Sequence, residues 1–128
     1  MFQVGYQAGG RFDFPYFPTK PTPYIKGRRV RVNDNEVTDI YPVPYEMELL
    51  TISIGCSRYT DSDYWDLYVD GKQIYDSIYT KDVPEGFYMM VVTEVKPGSE
   101  IKFVFHNDSG SYKTVWLNYQ FLKDEETQ

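Results

Sequence analysis

The sequence is poor in the residues from which active sites are most often built. Its 128 residues include one cysteine, Cys56, one histidine, His106, and two tryptophans. A single cysteine excludes an intrachain disulfide and any zinc site made of paired thiolates. Long apolar runs are also missing, so no membrane insertion is expected. No segment sustains a 3.6-residue amphipathic period over three turns, which leaves helix near absent. Positive charge is in deficit, with a formal net charge of −6. Nucleic-acid affinity rests on cations that neutralise phosphates, so no nucleic-acid partner is expected. Residues 1–10 have neither a charged n-region nor an apolar core, and no secretory signal is read there.

Catalysis lacks its parts. His106 as a general base would need a nucleophile and an orienting acid beside it. Cys56 is the one thiol, and it falls in phase with Leu50, Ile52 and Ile54 on an apolar strand, where a cysteine acts as a small hydrophobe. No G-x-S-x-G and no glycine-rich phosphate loop offers another route. The expectation is a protein that works by binding, with no catalytic residues and no cofactor.

Aromatics are abundant, with 13 Tyr and 8 Phe in an 18% aromatic chain. Tyrosine favours strands and tolerates partial exposure through its polar tip. Period-two alternation then recurs along the chain. It predicts strands at Tyr24–Val32, Glu36–Ile40, Met47–Ser57, Asp63–Val69, Gln73–Tyr79, Phe87–Val95, Glu100–His106 and Tyr112–Leu122. Asp70-Gly71 between two of them is the sequence of a type I′ hairpin turn. Seven or eight short strands with regular turn signals and little helix predict an all-β, antiparallel β-sandwich, jelly-roll-like. The sandwich is expected over residues 25–122, followed by a charged tail at 123–128.

Residues 1–24 read differently. Pro15, Pro18, Pro21 and Pro23 interleave with Phe12, Phe14, Tyr16 and Phe17. Proline removes ladder donors, yet the stretch is too aromatic for a solvated linker. It is expected to be an extended arm that packs either on its own sandwich or on a neighbouring subunit of an oligomer.

The hairpin around Asp70-Gly71 carries the main candidate surface. A two-residue turn with regular pairing puts Trp65, Leu67 and Val69 inward. Tyr64, Asp66, Tyr68, Gln73, Tyr75 and Tyr79 then share the outer face. Rings beside a carboxylate and an amide suit a sugar, a protein interface or intramolecular cover. The same register puts Asp76 opposite Trp65 on the inner face, which is costly for an unpartnered carboxylate unless a bulge shifts the pairing. Asp61 and Asp63 are weak candidates for calcium, because closely spaced aspartates supply oxygen ligands. The EF-hand spacing is absent, and turn-forming hydrogen bonds are the favoured reading of both residues. Arg28, Arg29 and Arg31 form the one basic cluster. Arg29 and Arg31 share a face, where they guard an edge strand or answer the acidic surface of a neighbouring copy.

The segment from Tyr59 to Ile74 (YTDSDYWDLYVDGKQI), with Tyr79–Glu85 (YTKDVPE), resembles a segment in structural proteins of tailed bacteriophages and prophages of Gram-positive hosts. Those proteins are small β-sandwich or jelly-roll modules, some likened to carbohydrate-binding modules. The resemblance implies a virion component of the tail, baseplate or accessory kind, made in the host cytoplasm. Its partners would be copies of itself and other virion proteins, with a cell-surface glycan as the alternative. It assigns no functional residue.

Overall fold

Alternating apolar and polar residues build eight antiparallel strands in the computed structural model, which describes residues 18–80 and 85–125, with backbone alone over 85–91. They are β1 (Thr22–Val32), β2 (Glu36–Pro42), β3 (Met47–Cys56), β4 (Tyr64–Val69), β5 (Lys72–Tyr79), β6 (Glu85–Val95), β7 (Glu100–His106) and β8 (Lys113–Lys123). One sheet has the order β1-β8-β3-β6 and the other β2-β7-β4-β5. Only the β4–β5 connection stays within a sheet, and every other connection crosses to the opposite layer. Eight strands wound in this way are a jelly roll. Among the described residues there is no helix.

Between the sheets lies one apolar core. Leu49, Ile52, Leu117, Tyr119 and Phe121 come from the first sheet, and Trp65, Leu67, Ile101, Phe103 and Phe105 from the second. The inward set expected on β4, Trp65, Leu67 and Val69, is the one observed. On β3 the phase differs. Register shifts between Leu49 and Thr51 against both neighbours, so Met47 and Leu49 point inward before the irregularity and Ile52, Ile54 and Cys56 after it. Leu50 is therefore not in phase with Ile52 and is only half-buried. A bulge adds one residue and switches the face of everything beyond it.

Asp70 and Gly71 both have positive φ, at 50° and 81°, as a type I′ turn requires. The Asp70 backbone N–H donates to the Glu100 carbonyl at 2.9 Å, and Asp70 Oδ1 accepts from the Glu100 N–H at 2.9 Å. These two bonds seat the turn on β7.

Regular pairing from the turn does not persist. Tyr68 faces Gln73, but Leu67 faces Tyr75, and Trp65 faces Ile78. Two extra residues on β5 are thus accommodated. Ser77 takes a positive φ of 57° within this stretch, which costs a non-glycine residue strain. The Asp66 carboxylate holds it by accepting its backbone N–H at 2.7 Å. The shifted register removes the conflict at Asp76, which lies exposed rather than opposite Trp65.

Three polar devices fix the ends and edges. At the open edge between the layers, Arg28 Nε and Nη2 donate to the two Asp39 carboxylate oxygens, each at 3.0 Å, and Nη2 also reaches the Ile40 carbonyl. Near the start of β4, Asp63 and Lys113 form an ion pair whose side chains are fully buried. Asp63 also accepts from the Ser109 N–H at 2.9 Å and from the Thr60 hydroxyl, while Lys113 Nζ donates to Asn107 Oδ1 at 2.8 Å. At the start of β3, the buried Glu48 carboxylate accepts from the backbone N–H groups of Thr19 and Lys20 and from the Thr19 hydroxyl at 2.8 Å. The chain is thereby pinned to its own sheet just before β1. Strand β1 begins at Thr22 and includes Pro23, which its position at the sheet edge permits. The aromatic arm residues Phe12, Phe14, Tyr16 and Phe17 lie outside the described residues.

Candidate functional site: the outer face of the tyrosine sheet

Pairing between β2, β7, β4 and β5 sorts the outward residues into rows. Glu36 faces His106, His106 faces Tyr64, and Tyr64 faces Tyr79. A second row runs through Thr38, Val104 and Asp66, and a third through Ile40, Lys102, Tyr68 and Gln73. In the first row the Tyr64 ring stacks on the His106 ring at 4.3 Å between centroids and lies 5.1 Å from the Tyr79 ring. Tyr79 is 53% exposed. In the third row Lys102 Nζ sits 4.8 Å from the centre of the Tyr68 ring.

Of the six residues expected on this face, the structure brings Tyr64, Asp66, Tyr68, Gln73 and Tyr79 together there. Tyr75 is the exception. The β5 irregularity turns it toward the core, where its ring lies 5.6 Å from that of Trp65. Burial pushes its phenol pKa up. His106 takes the vacated role as a ring of the outer face. Its neighbourhood was hidden in the sequence because the β4–β7 pairing that makes it is a contact across 42 residues of chain (Tyr64 to His106).

Three of the polar groups among the rings, Asp66, His106 and Glu36, are already engaged. Asp66 accepts from the Ser77 N–H through Oδ1 and meets His106 Nε2 at 2.8 Å through Oδ2. Glu36 stands 3.6 Å from His106 Nδ1. Partial desolvation, followed by the fields of Asp108, Tyr79, Asp66 and Glu36, pushes the Tyr64 phenol up and keeps it neutral. The result is a broad row of rings beside a carboxylate whose two oxygens are satisfied from within the sheet.

The remaining candidates fall elsewhere. Cys56 is buried on the inner face of the other sheet, and burial pushes its thiol up to about 11. His106 points outward from the opposite layer, so the two do not form a dyad. Asp61 is exposed, and the Asp63 carboxylate is occupied by the Lys113 ammonium, which stands where a bound cation would sit. Among the described residues no group of three or more His, Cys, Asp and Glu side chains gathers to hold a metal.

A family model described as a domain of unknown function, DUF8551, matches residues 20–126, a span that takes in all eight strands. No curated protein matches the chain.

Proposed function

The chain belongs to the DUF8551 family, whose function is unknown, and from that premise we propose that it is a non-enzymatic assembly module. It docks onto neighbouring protein through the outer face of the β2-β7-β4-β5 sheet, as a structural component of a tailed-phage particle. The observation that carries the docking mode is the Tyr79–Tyr64–His106 row beside an Asp66 carboxylate with both oxygens already bonded. Tyrosine rings with satisfied polar neighbours lose little when a partner excludes water from them, and such rings are enriched at interface centres. Sugar recognition by the same face is less well served. It needs carboxylate and amide groups free to bond hydroxyls, and Asp66 is taken while Tyr75 has left the face. The phage setting rests on the resemblance of residues 59–85 and on the proline-aromatic arm, a common means of locking neighbours together.

Light scattering of the full chain across micromolar concentrations tests this reading. Wild type is expected to be an oligomer, and Tyr79→Glu to lower its mass while keeping its melting temperature. A wild type that stays monomeric, or a Tyr79→Glu oligomer as tight as wild type, overturns the proposal. Removing residues 1–17 spares the Glu48 contacts to Thr19 and Lys20, so any loss of mass reports on the arm alone.

A further inference from the structure

The opposite sheet carries a second surface with different chemistry. Along β1 and β8 the outward pairs are Gly27 with Asn118, Arg29 with Trp116, and Arg31 with Thr114. Trp116 is 43% exposed and Tyr112, the next outward aromatic, is 75% exposed. Four residues of extended chain separate them, about 13 Å. A shallow depression of about 400 Å³ lies at Gly27, Arg29, Trp116 and Asn118, and a second of about 420 Å³ adjoins it at Arg31 and Tyr112. Gly27 keeps the first one open. A Cβ there would stand 3.3 Å from Asn118 Oδ1.

This strip also carries positive charge that is not neutralised within the fold. Arg28 is spent on Asp39, Lys20 on Glu46 and Asp124, and Lys113 on Asp63. Among the described residues, Arg29 and Arg31 have no carboxylate partner. Two free guanidinium groups thus flank two exposed rings on a protein of net charge −6.

We infer that the β1–β8 face is a binding site for an extended anionic sugar chain. The rings take the C–H faces of the sugars. Asn118, an amide with both donors and an acceptor, suits hydroxyls. Arg29 and Arg31 take the carboxylate or phosphate groups, for which the guanidinium fork is shaped. A single-stranded nucleic acid also stacks on rings. It would bring a phosphate at every nucleotide, and two arginines on an acidic protein neutralise few of them. An anionic sugar chain fits both the hydroxyl-bonding amide and the sparse positive charge. The site lies on the face opposite the tyrosine row and does not depend on the assembly reading.

The test is calorimetric titration of the full-length protein with a galacturonate hexamer, a phosphorylated dextran, neutral maltohexaose and a twelve-residue oligothymidylate. One or both anionic glycans are expected to bind, and which one does so identifies the anion. Trp116→Ala should weaken that binding by about tenfold. The pair Arg29→Gln and Arg31→Gln should weaken it roughly 10- to 100-fold and flatten its salt dependence. All three side chains are surface groups, and unchanged melting temperatures verify that the variants fold. Trp65 is 1% exposed, so a bound glycan should shield tryptophan fluorescence from acrylamide in wild type and not in Trp116→Ala. Binding of neither anionic glycan overturns the inference, as does maltohexaose or oligothymidylate binding as tightly as they do. Loss of oligomer mass in the arginine variants also overturns it, because the strip would then be a contact between copies.

Discussion

Removing the Asp63 carboxylate should be the most damaging single polar substitution in the protein. Both side chains of the Asp63–Lys113 pair are fully buried. In Asp63→Ala the ammonium keeps only neutral acceptors, Asn107 Oδ1 and Ser109 Oγ. Breaking a buried pair by deleting one partner costs about 3–5 kcal/mol, against a total stability of roughly 5–15 kcal/mol for a domain. For a chain of this length that is a fall in melting temperature of roughly 10–25 °C. Burial alone would raise the Asp63 pKa, but hydrogen bonds from Lys113, Thr60 and Ser109 outweigh it and hold the group below its ordinary 3.8. A carboxylate with a depressed folded pKa stabilises fully above its unfolded value and loses that contribution as pH falls through the folded one. The gap between wild type and Asp63→Ala should therefore be widest above about pH 4 and narrow below it. Urea titrations followed by near-ultraviolet circular dichroism at several pH values measure this directly. The double variant Asp63→Leu with Lys113→Met should recover about half of the loss or more, because an apolar pair of similar volume carries no desolvation cost. A single-variant loss under about 1 kcal/mol, the worth of an exposed pair, would refute the reasoning. So would a double variant no more stable than the single one.

Two further expectations concern groups at the two ends of β3. Cys56 is buried, with its thiol pushed up to about 11, so thiol reagents at pH 8 should label it only as fast as the protein opens. Rapid labelling of the native protein would contradict its placement. Glu48→Gln keeps the shape of the side chain but replaces one acceptor oxygen with a donor facing the Thr19 and Lys20 N–H groups. Limited proteolysis should then cut near residues 18–21 several times faster while the melting temperature moves little, and an unchanged cutting rate would argue that the carboxylate does not hold this segment.

Strand positions were legible because they depend on local alternation and on turn residues, and Asp70-Gly71 carries its turn geometry in its own chemistry. What the sequence hid was set at a distance. At Leu49-Leu50 both residues are apolar, so alternation alone does not show which one faces the core. On β5 the register departs where the Asp66 side chain captures the Ser77 backbone, a contact over 11 residues. Tyr75 is turned inward by the other register shift, between Gln73 and Tyr75. Asp63 was read from its neighbours as a turn former or a calcium ligand, while its partner Lys113 lies 50 positions away. The polar cluster Asn107, Ser109 and Lys113 was the available signal, unusual beside the apolar run that follows it.

The strand order has a consequence for how the protein comes into being. Strand β8 is inserted between β1 and β3, so among the described strands β1 finds no neighbour in its own sheet until β8 has been made. Until then β1 and β3 expose unpaired edges. Pairing across such long separations is slow, and unprotected edges invite other chains. Closure of this sheet therefore waits for β8, and the chain must be kept apart from its siblings until β1 and β8 have met.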